Sequence, residues 1–380
     1  MKGEPVVPPI VHSATYRFEN SADLIDVVNH RTGYIYSRWD NPTVREVEQR
    51  LAALEGYEES IAFASGMAAI TTSILSCVKP GDRVAAMASY GETIRFLTDF
   101  LPAIGVTTHL YSADQAGVCR DLLRQGATAL FLESPTNPLL RILDIESLAA
   151  AAHEKGAIVL LDATFASPVN LRSHTLGVDI TLHSATKYLG GHHDVTAGFA
   201  CCNASTARRI WMLRRMLGGV LDPTQAYLVW RGLQTLEVRV RRQNDSAEQI
   251  ARWLVAQPGV RVVHYPGLAS HPDHALAARQ MAGFGGIISF ELEADYEGTT
   301  RFMDRLCAIK LATSLGGTTS LANQSVTNTH ASMSKQERAQ ARIPDNLVRL
   351  SVGLEPVEDL IADLRRALEV FSTERNDPPG

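Results

Sequence analysis

Long apolar runs are missing from this sequence. No stretch approaches the roughly 20 consecutive apolar residues that span a bilayer. The opening Met1-Lys2-Gly3-Glu4-Pro5 has no signal-peptide core, so a cytoplasmic protein is expected. Excess charge is missing as well. Lys plus Arg number 36 against 41 Asp plus Glu, a formal net charge of −5, which gives no electrostatic case for nucleic acid or an anionic membrane. Cysteine is sparse: Cys77, Cys119, Cys201, Cys202 and Cys307 form no Cys-x-x-Cys pair and read as reduced, mostly structural thiols. Metal-ligand sets are thin. His271-Pro272-Asp273-His274 contains a proline and lacks a third ligand, and His192-His193-Asp194 abuts a lysine loop, so no metal site is expected. Gly283-Phe284-Gly285-Gly286 leads into a strand pattern rather than a helix, which rules out a nucleotide fingerprint. The most telling scarcity is lysine, confined to Lys2, Lys79, Lys155, Lys187, Lys310 and Lys335.

What is present is the patterning of a large domain with a smaller one behind it, as 380 residues allow. Residues 1–43 read as an extended arm marked by Pro5, Pro8 and Pro9, with too little core of its own and suited to packing on a neighbouring subunit. Residues 44–235 alternate short apolar runs with helical spacing. Strands are expected at Arg83–Met87, Thr107–Leu110, Ala127–Leu132, Ile158–Leu161, Ile180–His183 and Ala197–Cys201, and helices at Val44–Leu54, Met67–Cys77 and Ile145–Lys155. That alternation predicts an α/β fold built on a mostly parallel, doubly wound sheet. A long amphipathic stretch, Thr224 to Ala256, is placed to bridge two domains. Residues 236–380 then read as an α+β domain, with strands Val260–Tyr265 and Gly286–Leu292, helices Arg301–Cys307 and Val357–Phe371, and a loose end at Asn376–Gly380.

Lys187 stands apart from the other lysines. It follows the strand-like Val178–His183 through Ser184-Ala185-Thr186 and precedes Tyr188-Leu189-Gly190-Gly191. A lysine just beyond the carboxyl end of a buried strand is desolvated, its pKa falls, and its amine becomes a nucleophile. Ser184 and Thr186 beside it are hydroxyl donors for a phosphate. Ser65-Gly66-Met67-Ala68 opens an apolar helix after Ile61-Ala62-Phe63. Read functionally it is an anion cup, glycine letting backbone N–H groups approach the charge; read structurally it is a plain helix N-cap. Asp162 ends the run Ile158–Leu161, where open α/β sheets bind ligands, and serves either a pyridine nitrogen or a helix cap. Asn137 is placed for a ring oxygen, and Tyr90, after Arg83–Met87, for stacking on a ring or for ordinary packing. A lysine for an imine, a phosphate cup, a carboxylate for a ring nitrogen and an aromatic face are the four requirements of a pyridoxal phosphate (PLP) site.

Together these segments resemble the Cys/Met-metabolism PLP family of cystathionine γ-synthases, cystathionine γ- and β-lyases, methionine γ-lyases and homoserine sulfhydrylases. The resemblance runs from about Val7 to Leu368. It is carried by Tyr36-Ser37-Arg38 with Asn41-Pro42-Thr43, Ser65-Gly66-Met67, Ser134-Pro135-Thr136-Asn137-Pro138, Asp162-Ala163-Thr164-Phe165, Ser184-Ala185-Thr186-Lys187-Tyr188, Ser314-Leu315-Gly316-Gly317 and Arg349-Leu350-Ser351-Val352-Gly353. It implies a fold-type-I transferase with a seven-stranded-type sheet, helices on both faces and a smaller C-terminal α+β domain. It further implies that Tyr36 and Arg38 reach the phosphate of a neighbouring subunit in a homotetramer built from dimers. Arg349, helped by Ser314, would hold the substrate α-carboxylate. Lys187 would carry the cofactor and move protons, assisted by Tyr90 or Tyr36. The implied activity is elimination or replacement at the γ or β carbon of a sulfur-containing or O-activated amino acid, nearest the cystathionine γ-lyase and γ-synthase kind, with methionine γ-lyase or homoserine sulfhydrylase activity as the variant reading.

Departures from the family pattern fall on substrate-facing positions. Thr313 stands where a glutamate is frequent, and Glu92 where methionine γ-lyases carry a cysteine; Glu92 reads either as facing a cationic or hydrogen-bonding substrate group or as a solvated loop residue. The specificity set therefore suits a specialised biosynthetic variant. Two other readings keep PLP: transamination or racemisation, and a regulatory PLP-binding protein with a relict site, which the joint retention of Lys187, Asp162 and Arg349 argues against.

Overall fold

All six apolar segments expected as strands in the first half of the chain enter one sheet. They are joined by Glu59–Phe63, which the sequence pattern shows only as the approach to the Ser65 turn. In this computed structural model, which describes residues 5–327, 336, 338 and 342–371, the strands are β1 (Glu59–Phe63), β2 (Arg83–Met87), β3 (Thr107–Leu110), β4 (Ala129–Glu133), β5 (Ile158–Asp162), β6 (Ile180–Ser184) and β7 (Gly198–Cys202). Their spatial order is β1-β7-β6-β5-β4-β2-β3, and only β7 runs antiparallel to its neighbours. Lys2, Lys335 and the expected loose end Asn376–Gly380 lie outside the described residues.

Helices cover both faces of this sheet, which is why its central strands are apolar throughout rather than alternating. Leu130, Leu132, Val159 and Leu161 pack with Ile145 and Leu148 on one side. Phe63, Phe131, Leu160 and Leu182 pack with Ile70 and Ile74 on the other. Each such side chain contributes about 1.5–3 kcal/mol on burial. Cys201 and Cys202, adjacent on β7, face opposite cores, and all five thiols are free. The helix Pro42–Glu55 begins with Asn41 accepting from the Thr43 and Val44 N–H groups and has Pro42 at its first position, where the missing N–H costs nothing.

A second sheet follows, ordered β10-β11-β12-β9-β8, with β8 (Val260–His264), β9 (Ile287–Leu292), β10 (Lys310–Leu311), β11 (Leu321–Gln324) and β12 (Leu347–Ser351). Its core joins Ile288, Phe290, Val348 and Leu350 to Phe302 and Leu360. Alternation along β12 therefore puts Val348 and Leu350 in that core and turns Arg349 to the opposite face. Ser289, paired with Arg349 across the strands, donates to the Pro138 carbonyl, so this face looks onto the first sheet's loops.

The amphipathic stretch Thr224–Ala256 is two helices, Pro223–Leu233 and Leu236–Val255, because Thr235 leaves helical geometry at φ −118° and ψ 9°. The second does bridge: Leu236 and Val240 lie in a core beside the first sheet, Ala247, Ile250 and Leu254 in the core of the second. The arm also departs from expectation. Ser21–His30 is a helix, started by Asn20 accepting from the Asp23 N–H and closed by Arg31 at φ 55°. None of its residues is buried, and Leu24, Ile25 and Val28 are exposed. Among the described residues, no helix is long and apolar enough to cross a membrane.

One close approach joins fold to site. A Cβ on Gly198 would lie 2.1 Å from the Ser65 carbonyl oxygen, and one on Gly66 would lie 2.7 Å from Ser184 Cβ. Gly198→Ala is expected to destabilise the protein by about 1–3 kcal/mol through overpacking. A thermal melt against wild type checks this; an unchanged midpoint would contradict it.

Candidate active site

The carboxyl ends of β2, β4, β5 and β6, the Lys187 loop and β12 enclose a cavity of about 730 Å³. Its walls include Ser65, Gly66, Met67, Tyr90, Glu92, Asn137, Asp162, Ser184, Thr186, Lys187, Thr313, Ser314 and Arg349, so the topology brings together every candidate residue except Tyr36 and Arg38. Those two lie outside: Tyr36 is exposed, and Arg38 stacks on its ring and donates to the Arg215 carbonyl.

Lys187 follows β6 at the sheet edge of the cavity. Burial, aided by the Arg349 charge, pulls its amine down to about 8, while Asp162 opposes the shift. Its Nζ donates to Ser314 Oγ at 2.9 Å. Ser314 is itself held at φ 78°, an uncommon conformation for a residue with a side chain. The other lysines within the described residues are exposed.

At the helix start, both readings of the Ser65 segment hold at once. Ser65 Oγ caps the helix Gly66–Leu75 by accepting from the Ala68 N–H at 3.1 Å. That leaves the N–H groups of Gly66 and Met67 without intrahelical acceptors at the cavity wall, beside Ser184 and Thr186. Thr186 Oγ1 is engaged with the Ala197 backbone. Asp162 is no helix cap; it accepts from the nearby Thr164, whose N–H lies at 3.0 Å, and burial holds its pKa above the ordinary carboxylate value.

Glu133 is the functional residue that sequence reasoning missed. It lies in register with Asp162 on β4, at the same strand end. Its carboxylate accepts from Ser89 N–H at 2.7 Å, from Tyr90 N–H at 3.1 Å and from Ser89 Oγ. From Ser89 the hydrogen bonds continue without a gap. The Asn137 N–H donates to Ser89 Oγ, Arg349 Nη1 to Asn137 Oδ1, Arg349 Nη2 to the Ser314 carbonyl, and Lys187 Nζ to Ser314 Oγ. The signal for Glu133 is the same strand-end position that singles out Asp162 one strand away.

Burial, and then the nearby Asp162, pushes Glu133 up to about 7. Below that pH its carboxyl gains a proton and loses acceptor strength toward Ser89 and Tyr90. Activity is therefore expected to fall on the acid side with a midpoint near 7. In Glu133→Gln this limb should vanish and kcat/KM should drop about tenfold, about 1.4 kcal/mol, near the low end of the roughly 1.5–3 kcal/mol of a hydrogen bond to a charged group because the amide oxygen still accepts. A pH profile of kcat/KM in both proteins tests it, and an identical acid limb in the variant would refute it.

Arg349 is 2% exposed, and its guanidinium meets only the neutral acceptors Asn137 Oδ1 and the Ser314 carbonyl. Its Nε has no partner, and burial lowers its pKa to about 10. A buried cation facing a cavity with no carboxylate of its own is matched to an incoming one. With Lys187, Asp162 and the Gly66–Met67 N–H groups, the wall offers each donor and acceptor type that PLP and an amino acid require.

The histidine segments do not gather. Asp273 forms an ion pair with Arg141, His274 Nδ1 lies 2.8 Å from the Pro266 carbonyl, and among the described residues no group of three or more His, Cys, Asp or Glu is placed to hold a metal.

Comparison with known proteins agrees with this geometry. The profile of the family described as Cys/Met metabolism PLP-dependent enzyme matches residues 2–369. The chloroplastic cystathionine gamma-synthase 1 of Arabidopsis thaliana is 42% identical over 97% of this chain, which spans 66% of that protein's length. The L-methionine gamma-lyase of Pseudomonas putida is 40% identical over 97% of this chain and 93% of its own. The crystal structure of cystathionine gamma synthase from Xanthomonas oryzae pv. oryzae in complex with cystathionine superimposes with a TM-score of 0.92 at 37% identity, covering 97% and 94% of the two chains.

Proposed function

Since the chain belongs to the Cys/Met metabolism PLP-dependent enzymes, we propose that it catalyses γ- or β-elimination or replacement on a sulfur-containing or O-activated amino acid, with γ-carbon chemistry first. The observation that carries the reading is Arg349, a buried guanidinium lacking a carboxylate partner and joined through Ser314 to Lys187.

In this reading Lys187 carries PLP, the Gly66 and Met67 N–H groups with Ser184 and Thr186 hold its phosphate, Asp162 serves its ring nitrogen, Asn137 its ring oxygen, and Tyr90 its face. When bound, PLP supplies the electron sink that makes loss of the α-proton feasible. The protein's own residues do the rest. Arg349 and Ser314 fix the substrate by its α-carboxylate, which sets the orientation of the α-carbon toward Lys187. Lys187 Nζ, with a pKa of about 8, exchanges protons near neutral pH as a positioned base and then acid. Ser314 Oγ, within hydrogen-bond reach of that amine, would hold it while substrate has displaced it from the cofactor.

Tyr36 and Arg38 complete a neighbouring subunit's site, in a homotetramer built from dimers. Their position outside the cavity of their own chain supports this, as does a ten-residue arm helix with no buried residue, which is marginal in water by itself.

The test is a panel of L-cystathionine, L-methionine and O-acylated homoserine, the last with and without cysteine, read by keto acid, ammonia and thioether product. Keto acid and ammonia rising together indicate elimination, and a thioether in the presence of cysteine indicates replacement. Keto acid without ammonia would move the reading to transamination.

A further inference from the structure

The cavity carries charges of both signs at its inner end and an unengaged carboxylate at its exposed rim. Its inner end carries Lys187 and the unpaired Arg349. Asp162 and Glu133, the inner carboxylates, are engaged by backbone N–H groups. Glu92 is different: it lines the cavity, is exposed, and its carboxylate has no hydrogen-bond or ion-pair partner among the described residues. Nor is it a loosely solvated loop residue. It sits in the short helix Gly91–Arg95, held on one side by the Tyr90 N–H on Glu133. On the other side Thr93 is buried, with its hydroxyl 3.7 Å from Met67 Sδ.

An adjoining cleft of about 650 Å³ shares Thr186, Thr196, Thr313 and Ser314 with the cavity and adds His193 and Asp194. Asp194 also has no hydrogen-bond or ion-pair partner among the described residues, and His193 lies against Gly317. The outer reach is therefore walled by two carboxylates without partners among the described residues and one imidazole, and the inner end by two cations and two carboxylates already engaged by backbone N–H groups.

We propose that Glu92 selects substrates by the charge at the far end of their side chain, favouring amino acids with a cationic distal group, accepting neutral ones and rejecting anionic ones. This rests on the reading that Arg349 takes the α-carboxylate. With that end fixed inside, the distal group of a four- or five-atom side chain meets Glu92. An anionic leaving group such as a phosphate or succinyl ester would be placed against a negative charge; an acetyl ester or an amino-bearing group would not. Thr313, on the shared wall, contributes a neutral hydroxyl and no competing charge.

Equilibrium binding to the PLP-loaded protein tests the proposal without requiring turnover. The probes are L-ornithine, L-norvaline and L-glutamate, which have the same carbon count and distal charges of plus one, zero and minus one. By calorimetry, wild type is expected to bind ornithine about five- to tenfold tighter than norvaline, and glutamate weaker by a similar factor, the size of one screened charge pair at partial exposure. Glu92→Gln should bring the three within about twofold of each other, and Glu92→Lys should reverse the order, with norvaline unchanged throughout. A wild-type order that persists in both variants, or no charge preference in wild type, overturns the proposal. If the three bind Arg349→Met as tightly as wild type, or none binds wild type at all, the α-carboxylate assignment fails instead. The two failures are thus distinguishable.

Discussion

Arg349→Met is expected to lower kcat/KM for every amino-acid substrate by about a hundred- to a thousandfold while leaving the thermal midpoint unchanged or higher. The loss follows from taking one partner out of a buried, charge-assisted carboxylate contact, which costs about 3–5 kcal/mol. The stability half is less usual. Arg349 is buried with no anion to offset its desolvation, its Nε is unpartnered, and its pKa is lowered to about 10, so the free protein holds the charge at a cost. Methionine fills the volume without the charge and leaves only Asn137 Oδ1 and the Ser314 carbonyl without their donor. Arg349→Lys should fall between, keeping the charge but losing the planar fork. Kinetics and melting on the same preparations decide it; a melt lowered by several degrees would show Arg349 to be a structural cation.

The second large effect lies with Lys187. Lys187→Ala is expected to remove turnover to background. The apoprotein offers a sharper check through pH. The Lys187 amine is shifted down from 10.5 to about 8, so its neutral, nucleophilic fraction is about one in ten at pH 7 and about nine in ten at pH 9. Labelling of this amine by trinitrobenzenesulfonate, located by peptide mass, should rise roughly tenfold over that interval and level off above it. A lysine in an unstructured reference peptide should instead climb about a hundredfold over the same interval without a plateau. The sign for stability follows from the same shift. Between pH 8 and 10.5 the unfolded chain binds the proton and the folded chain does not, so this group makes folding more favourable as pH rises through that window. A labelling curve for Lys187 without a plateau would remove the lowered pKa.

Much of this was readable from residue order. Asp162 and Lys187 sit where short apolar strands run out, and strand ends are where such sheets place ligands. The expected strands at Arg83–Met87 and Thr107–Leu110 coincide with β2 and β3. Glu59–Phe63 escaped notice because Glu59 and Ser60 break its apolar run, though β7 beside it buries Ser60 completely. Leu347–Ser351 escaped as a strand because its central arginine reads as polar, the alternation making sense only once the opposite face is known to be a cavity. The arm helix was hidden by Pro5, Pro8 and Pro9 upstream and by the absence of anything for its apolar side to meet. Glu133 was hidden for a physical reason: its partners are backbone N–H groups, which leave no trace in side-chain sequence.

The pairing of β1 with β7 has a consequence for how the chain is made. Glu59–Phe63 leaves the ribosome early, but its only sheet partner among the described residues ends at Cys202. Until that later segment emerges, the apolar edge of Ile61, Ala62 and Phe63 has no strand to close it, and the Gly66 turn has no Gly198 beneath it. Contacts this distant along the chain form slowly, and an unpaired apolar edge is a template for association between incomplete chains. The arrangement that brings the Ser65–Gly66 turn against the lysine strand thus also makes the nascent chain dependent on reaching Cys202 before it meets a second copy of itself.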